Sequence, residues 1–255
     1  AERLRKRDTA LLMIPLVVIS SCAILVGAFL FYLFTVRPAK TRARRERLRS
    51  QPFPDDWLKI IEKNVPMFHR LPEELCRELL GHIQVFLEEK HFEGCGGLEL
   101  TDSMRVSIAA QACILLLNRP TDYYPRLKTI LVYPATYVAP PIPEEYGMIP
   151  VDDDSLRLGE SWGQGIVVLT WNHVKEGARR SRDGLNLVFH EFAHQLDEEN
   201  GAADGVPFLG RRSLYLEWNR VMNREFQQLR RALERRQRTV LDDYAATSPA
   251  EFFAV

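Results

Sequence analysis

The sequence predicts an α+β fold, one mixed domain carrying a His-Glu-x-x-His helix and preceded by a single transmembrane helix. Three observations lead there. Residues 9–36 form a run of 28 without a charge. Beyond it, apolar residues recur mostly at helical spacing, and only two short segments read as strands. At 255 residues, 46% hydrophobic and 27% charged, the chain has the make-up of a globular protein, which excludes a disordered or collagen-like one.

Residues 9–36 are long enough to cross a hydrocarbon core of about 30 Å, and a membrane span tolerates Pro15 and Gly27. A cleaved signal peptide calls for a shorter apolar region, about 7–15 residues, and a small-residue cleavage site. Here seven basic residues from Arg37 to Arg49 follow instead, against four before the run. The heavier side belongs in the cytoplasm. The expected location is therefore the inner (cytoplasmic) membrane, single-pass, with residues 37–52 as a basic juxtamembrane linker and residues 53–255 as a cytoplasm-facing domain. The linker also suits anionic headgroups, at about 1 kcal/mol per cation near the surface.

Residues 1–50 carry eleven Lys and Arg against three acids, a net of +8, which leaves −8 on residues 51–255. A net-acidic body argues against direct nucleic-acid binding, since neutralising phosphates takes a surplus of cations. Cys22, Cys76, Cys95 and Cys113 form no C-x-x-C pair, so neither a thiolate zinc site nor a disulfide framework is expected.

Within the domain, Ile60 to Phe86 show helical periodicity broken by Pro66 and Pro72, which predicts two or three helices. Thr101 and Asp102 then open a largely apolar helix over residues 104–117, expected to be buried and central. Residues 127–133 and 165–171, rich in β-branched side chains, read as strands that offer a sheet edge to an extended peptide. Residues 139–155 between them form a Pro-rich acidic loop. A helix is expected over residues 185–197, and another over 214–233 with Leu214, Trp218, Val221, Met222, Phe226, Leu229 and Leu233 on one face.

The chemistry concentrates in His190-Glu191-Phe192-Ala193-His194. Residues four apart on a helix project from one face a turn apart, so two imidazoles can grip one ion. With a third protein ligand, a tetrahedral Zn²⁺ keeps one position open for a water that it makes acidic, and Glu191 is placed to act as general base. The bland alternative is a core-lining His pair with Glu191 in solvent. Leu185, Val188, Phe189, Phe192, Ala193 and Leu196 supply the amphipathic context that a metal site requires. For the third ligand, Glu251 admits two readings: it follows Ser248 and Pro249, so it either binds metal or completes a capping box back to the Ser248 amide. Tyr244 is either a hydrogen-bond donor to an oxyanion or a packed aromatic. Asp197, seven residues after His190, is expected to orient a ligating imidazole. His91, Glu93 and Cys95 are read as a structural loop, and His69, His82 and His173 as surface or core residues.

The segments HEFAHQLDEENGAADGVP (190–207) and YAATSPAEFFAV (244–255), with HFEGCGGLELTD (91–102), SIAAQACILLL (107–117) and YYPRLKTILVYP (123–134), resemble the Mlc titration factor A family of zinc peptidases over nearly all of residues 53–255. The resemblance implies a zincin-like metallopeptidase domain with a small sheet, similar in its core to anthrax lethal factor. It implies one Zn²⁺ per chain held by His190, His194 and Glu251, with Glu191 as general base and Tyr244 stabilising the oxyanion. It also implies hydrolysis of a peptide or protein substrate, of the aminopeptidase type, and an alternative role as a regulatory protein that sequesters a transcriptional repressor such as Mlc. Two features depart from the family pattern: the added N-terminal span, and a chain that stops at Val255 where the family continues. The helix bearing Glu251 is accordingly expected to be about two turns long and poorly held, with weak zinc binding.

Overall fold

The computed structural model describes residues 22, 24–134, 159–162, 165–179 and 186–255. The acidic loop expected over 139–155, the first part of the uncharged run and Leu185 lie outside the described residues. The chain divides into two compact units, Ala1–Gln51 and Pro52–Val255.

In the first unit, helix α1 (Ile24–Arg49) runs for 26 residues, about 39 Å at 1.5 Å per residue. Ile24, Leu25, Phe29 and Phe31 are exposed on it. By length and composition it is able to cross a membrane, and it lies near the N-terminus, where a signal sequence has the same features. The helix continues without a break into the basic stretch Arg37–Arg49.

The second unit is mostly helical. Asp55–Asn64 (α2) and Glu73–Glu89 (α3) flank a 3₁₀ turn at Pro66–Arg70, so both prolines fall where the periodicity broke. Helix α4 (Asp102–Ile114) starts on Thr101, whose side chain accepts from the Met104 amide, and Val106 to Cys113 are all buried. It is the central helix that the apolar run predicted, packed against α2 and α3.

Among the described residues, four strands form one sheet in the order β1-β2-β4-β3: His91–Gly94 (β1), Thr129–Tyr133 (β2), Gly159–Trp162 (β3) and Ile166–Thr170 (β4). Phe92 pairs with Ile130 and Leu131 with Val168 in parallel registers, while Ser161 opposes Val167 antiparallel. Three expectations are corrected here. Residues 91–94 are a strand rather than a loop. The two predicted strands lie side by side in the sheet interior and offer no edge; the edges are β1 and β3. Trp171 leaves the sheet and begins helix α5 (Trp171–Arg179).

Helix α6 (Leu187–Asp197) carries the His-Glu-x-x-His motif and packs on α4, α5, β3 and β4. Val188, Phe192 and Leu196 follow at four-residue steps and are at most 5% exposed. The Phe192 ring meets Tyr124 at 4.9 Å and Phe86 at 5.7 Å between centroids. Tyr124 is itself fixed: its hydroxyl donates to Ala112 O, and the buried Lys90 ammonium donates to the Tyr124 and Leu127 carbonyls. Helix α7 (Arg212–Glu234) and the short α8 (Pro249–Ala254) complete the unit. The expected apolar face of α7 is only partly covered. Phe226 and Leu229 are buried, whereas Leu214 is exposed, because α7 packs chiefly on α8 and the 3₁₀ turn Asp243–Ala246.

Replacing Phe192 by Ala removes the ring on which α6 seats while leaving the opposite face untouched. The expected loss is about 3–5 kcal/mol of unfolding free energy, read from denaturant titration of the full chain in detergent.

Candidate metal centre

The start of α6 is fixed by a polar network. The Asn186 side chain caps the helix by accepting from the Phe189 amide at 3.0 Å, and its amide nitrogen donates to Gln111 Oε1 on α4 at 2.9 Å. Gln111 in turn donates to Ser107 O. Helix α5 comes so close that a Cβ on Gly177 would stand 3.0 Å from the Asn186 Cα. With the cap held and Val188, Phe192 and Leu196 driven into the core, the rotation of α6 is set. His190 and His194 then emerge together on a face about 200° round from Val188.

Glu251 arrives from the far end of the chain. The Asp242 side chain accepts from the Tyr244 amide to open the turn Asp243–Ala246, and Ser248 then caps α8, its Oγ accepting from the Glu251 amide at 3.2 Å with Pro249 at the first helical position. The cap uses only the backbone of Glu251, and its carboxylate turns to the histidines. Glu251 Oε2 lies 3.2 Å from His190 Nε2 and 3.4 Å from His194 Nε2, and the two Nε2 atoms are 3.2 Å apart. Burial opposes ionisation of this carboxyl, but hydrogen bonding and charge from His190 and His194 outweigh it and hold its pKa at about 2.

These three atoms form the one group of possible metal ligands among the described residues. Their donor chemistry fits an ion. Three lone-pair atoms face a common point, where a proton can bridge only two of them. Ligands about 2.0–2.1 Å from a tetrahedral Zn²⁺ stand about 3.3 Å from one another, which is the spacing observed.

Glu191, next to His190 on α6, is almost wholly buried. The Tyr244 ring lies 6.0 Å from the His190 ring between centroids and is half exposed. Burial raises the pKa of its phenol, and the neighbouring Glu251 and Glu191 carboxylates raise it further, keeping the group protonated. Asp197 differs from expectation. Its two oxygens accept from the Gly205 and Val206 amides at 2.8 and 2.7 Å, so its hydrogen bonds hold a loop rather than an imidazole. His82 is buried between Tyr123 and Glu78, His69 contacts Glu62 O, and His173 contacts the Thr170 hydroxyl, all apart from the site. Sequence reasoning passed over Asn186 and Gln111. An Asn directly before an apolar helical run was a readable N-cap signal; a polar residue inside the apolar α4 was the other.

The site thus gathers the donor set of a metal-dependent hydrolase. The chain belongs to the glucose-regulated metallo-peptidase M90 family, whose pattern matches residues 39–255. It is 43% identical over 213 residues to an uncharacterized protein of Synechocystis sp., covering 83% of this chain and 78% of that one. It is 30% identical to Mlc titration factor A of Escherichia fergusonii over 194 residues and to that of Escherichia coli O7:K1 over 195, each time covering 75% of this chain and 72% of the relative.

Glu251→Ala deletes one of the three converging atoms. Zinc affinity of the full chain, measured by competition with a chromophoric chelator, is expected to fall by more than about 100-fold, beyond what loss of a mere outer-sphere partner costs.

Proposed function

We propose that this protein is a zinc-dependent peptidase of aminopeptidase type, tethered to the cytoplasmic membrane by residues 9–36, with residues 53–255 facing the cytoplasm. The observation that carries the reading is the meeting of Glu251 Oε2 with His190 and His194 Nε2 at 3.2–3.4 Å, beside a buried Glu191.

In this reading His190, His194 and Glu251 hold the metal through neutral imidazole nitrogens and an ionised carboxylate. Bound zinc supplies Lewis acidity, which makes a water nucleophilic near neutral pH and polarises the scissile carbonyl. Glu191 takes the proton from the attacking water and hands it to the departing amine. Its burial beside His190 keeps the carboxylate away from bulk water and next to the metal-holding side chains. Tyr244 remains a protonated phenol and donates a hydrogen bond to the oxygen on which negative charge develops. Strand β3, at the edge of the sheet among the described residues and against α6, offers main-chain groups along which an extended peptide can lie.

A second reading is kept alive by the relatives named Mlc titration factor A: a regulatory protein that binds a transcriptional repressor and uses zinc to hold its fold. The two separate on Glu191. Glu191→Gln preserves the metal-holding side chains. The peptidase reading expects hydrolysis of an amino-acyl chromogenic amide to drop by about 10²–10⁴-fold at unchanged zinc content. Unchanged hydrolysis removes Glu191 as the base, and full partner binding without any hydrolysis in the parent chain favours the regulator.

Tyr244→Phe is expected to lower kcat by about 10²-fold with little change in KM, since the lost bond serves the transition state alone. For the tether, the full chain is expected to stay with the membrane fraction through alkaline carbonate extraction. Release into the supernatant would contradict a span.

A further inference from the structure

Helix α8 is only six residues long, and a helix that short does not hold itself in water. Something external fixes where Glu251 stands. The hydrogen bonds of the loop after α6 identify it.

We propose that Asp197 is a positioning residue for Glu251: by clamping the turn at Gly205 and Val206 it fixes α8, and so ties the third ligand to the same helix that carries His190 and His194. This inference rests on reading those three side chains as zinc ligands. Asp197 closes α6 and is fully buried. Its two oxygens are both used, on the Gly205 amide at 2.8 Å and the Val206 amide at 2.7 Å. A carboxylate this deep survives only if hydrogen-bonded, so the turn and Asp197 hold one another in place.

The turn is in direct backbone contact with α8. Gly205 adopts φ +78°, and a Cβ on it would lie 2.4 Å from Pro249 O and 2.8 Å from Pro249 C. No side chain fits between, so any shift of the turn is passed to the first turn of α8. Trp218 on α7 supports the same point: its indole nitrogen donates to Gly205 O at 2.9 Å, and its ring packs edge-on against Phe253 at 5.7 Å. Pro249 and Phe253 are therefore both gripped, and Glu251 lies between them. The path runs from His194 along one turn of α6 to Asp197, across two hydrogen bonds to Gly205, and over one backbone contact to α8.

A residue acting through Glu251 loses its effect once Glu251 is gone. The full chain in detergent is loaded with zinc, and affinity is read by chelator competition in four proteins: parent, Asp197→Asn, Glu251→Ala and the double variant. Asp197→Asn keeps the shape but turns an amide donor toward one of the two loop amides. Expected is a 10–100-fold loss of affinity in the parent and less than about a twofold change in the Glu251→Ala background. With Co²⁺ in place of zinc, the visible absorption of Asp197→Asn is expected to shift toward that of Glu251→Ala.

Gly205→Ala, which pushes on Pro249 directly, is expected to behave likewise. Should Asp197→Asn fail to fold, Trp218→Phe carries the test by deleting the indole N–H that holds Gly205 O and shrinking the ring on Phe253, with a few-fold loss confined to the background that retains Glu251. Equal losses in both backgrounds, or parent-like affinity in these variants, would overturn the inference while leaving the ligand assignment intact. Parent-like affinity in Glu251→Ala alone sinks the ligand assignment, and this inference with it.

Discussion

A carboxylate partly withdrawn from water must find compensating partners, and the placing of Glu251 beside two imidazoles is the constraint around which the C-terminal third of the chain is arranged. His190 and His194 come as a pair at little cost, because a single helix spaces them. Glu251 is 57 residues further along the chain than His194, and closing a flexible loop of that size costs about 3–4 kcal/mol of chain entropy. The packing of α7 on the Glu251 helix, through Trp218 on Phe253 and Phe226 on Phe252, offsets that cost with aromatic contacts.

Much of the helical framework was legible in the sequence, because its signals were periodic and its stops were prolines. Pro66 and Pro72 fall at the ends of α2 and at the start of α3, and Thr101 caps α4 from the position expected of a Thr before an apolar run. What was not legible was short. Gly159–Trp162 has no β-branched residue and only four positions, too few for a period of two to register; it is a strand because β4 pairs with it. His91–Gly94 likewise owes its extension to the parallel pairing with β2. At Trp171 the chain turns from strand to helix with neither Gly nor Pro between, so the run of apolar residues gave no boundary.

At the site, the two readings of Glu251 turned out to use different atoms. A capping box and a metal ligand compete only if both need the carboxylate. Ser248 satisfies the Glu251 amide through its own hydroxyl, which leaves the acid free to face the histidines. Asp197 was misread for the opposite reason: its helical phase matches His190, but phase says nothing about what a loop eight residues downstream brings back to it. The Gly205 and Val206 amides belong to that loop, and no local pattern announces their return.

The short helix that bears Glu251 also bears on how firmly an ion is held. Two turns cannot stand alone in water, so anchorage decides this. Ser248 caps the first turn, Gly205 abuts Pro249, and Phe252 and Phe253 face aromatic rings on α7. Each of these contacts reaches a different residue of the same six-residue segment, so the segment has little freedom to rotate its carboxylate away. An ion that meets preplaced ligands spends less of its binding free energy on ordering them than one that must gather them. The contacts that pin Pro249 to Phe253 thus set where the Glu251 carboxylate stands beside His190 and His194.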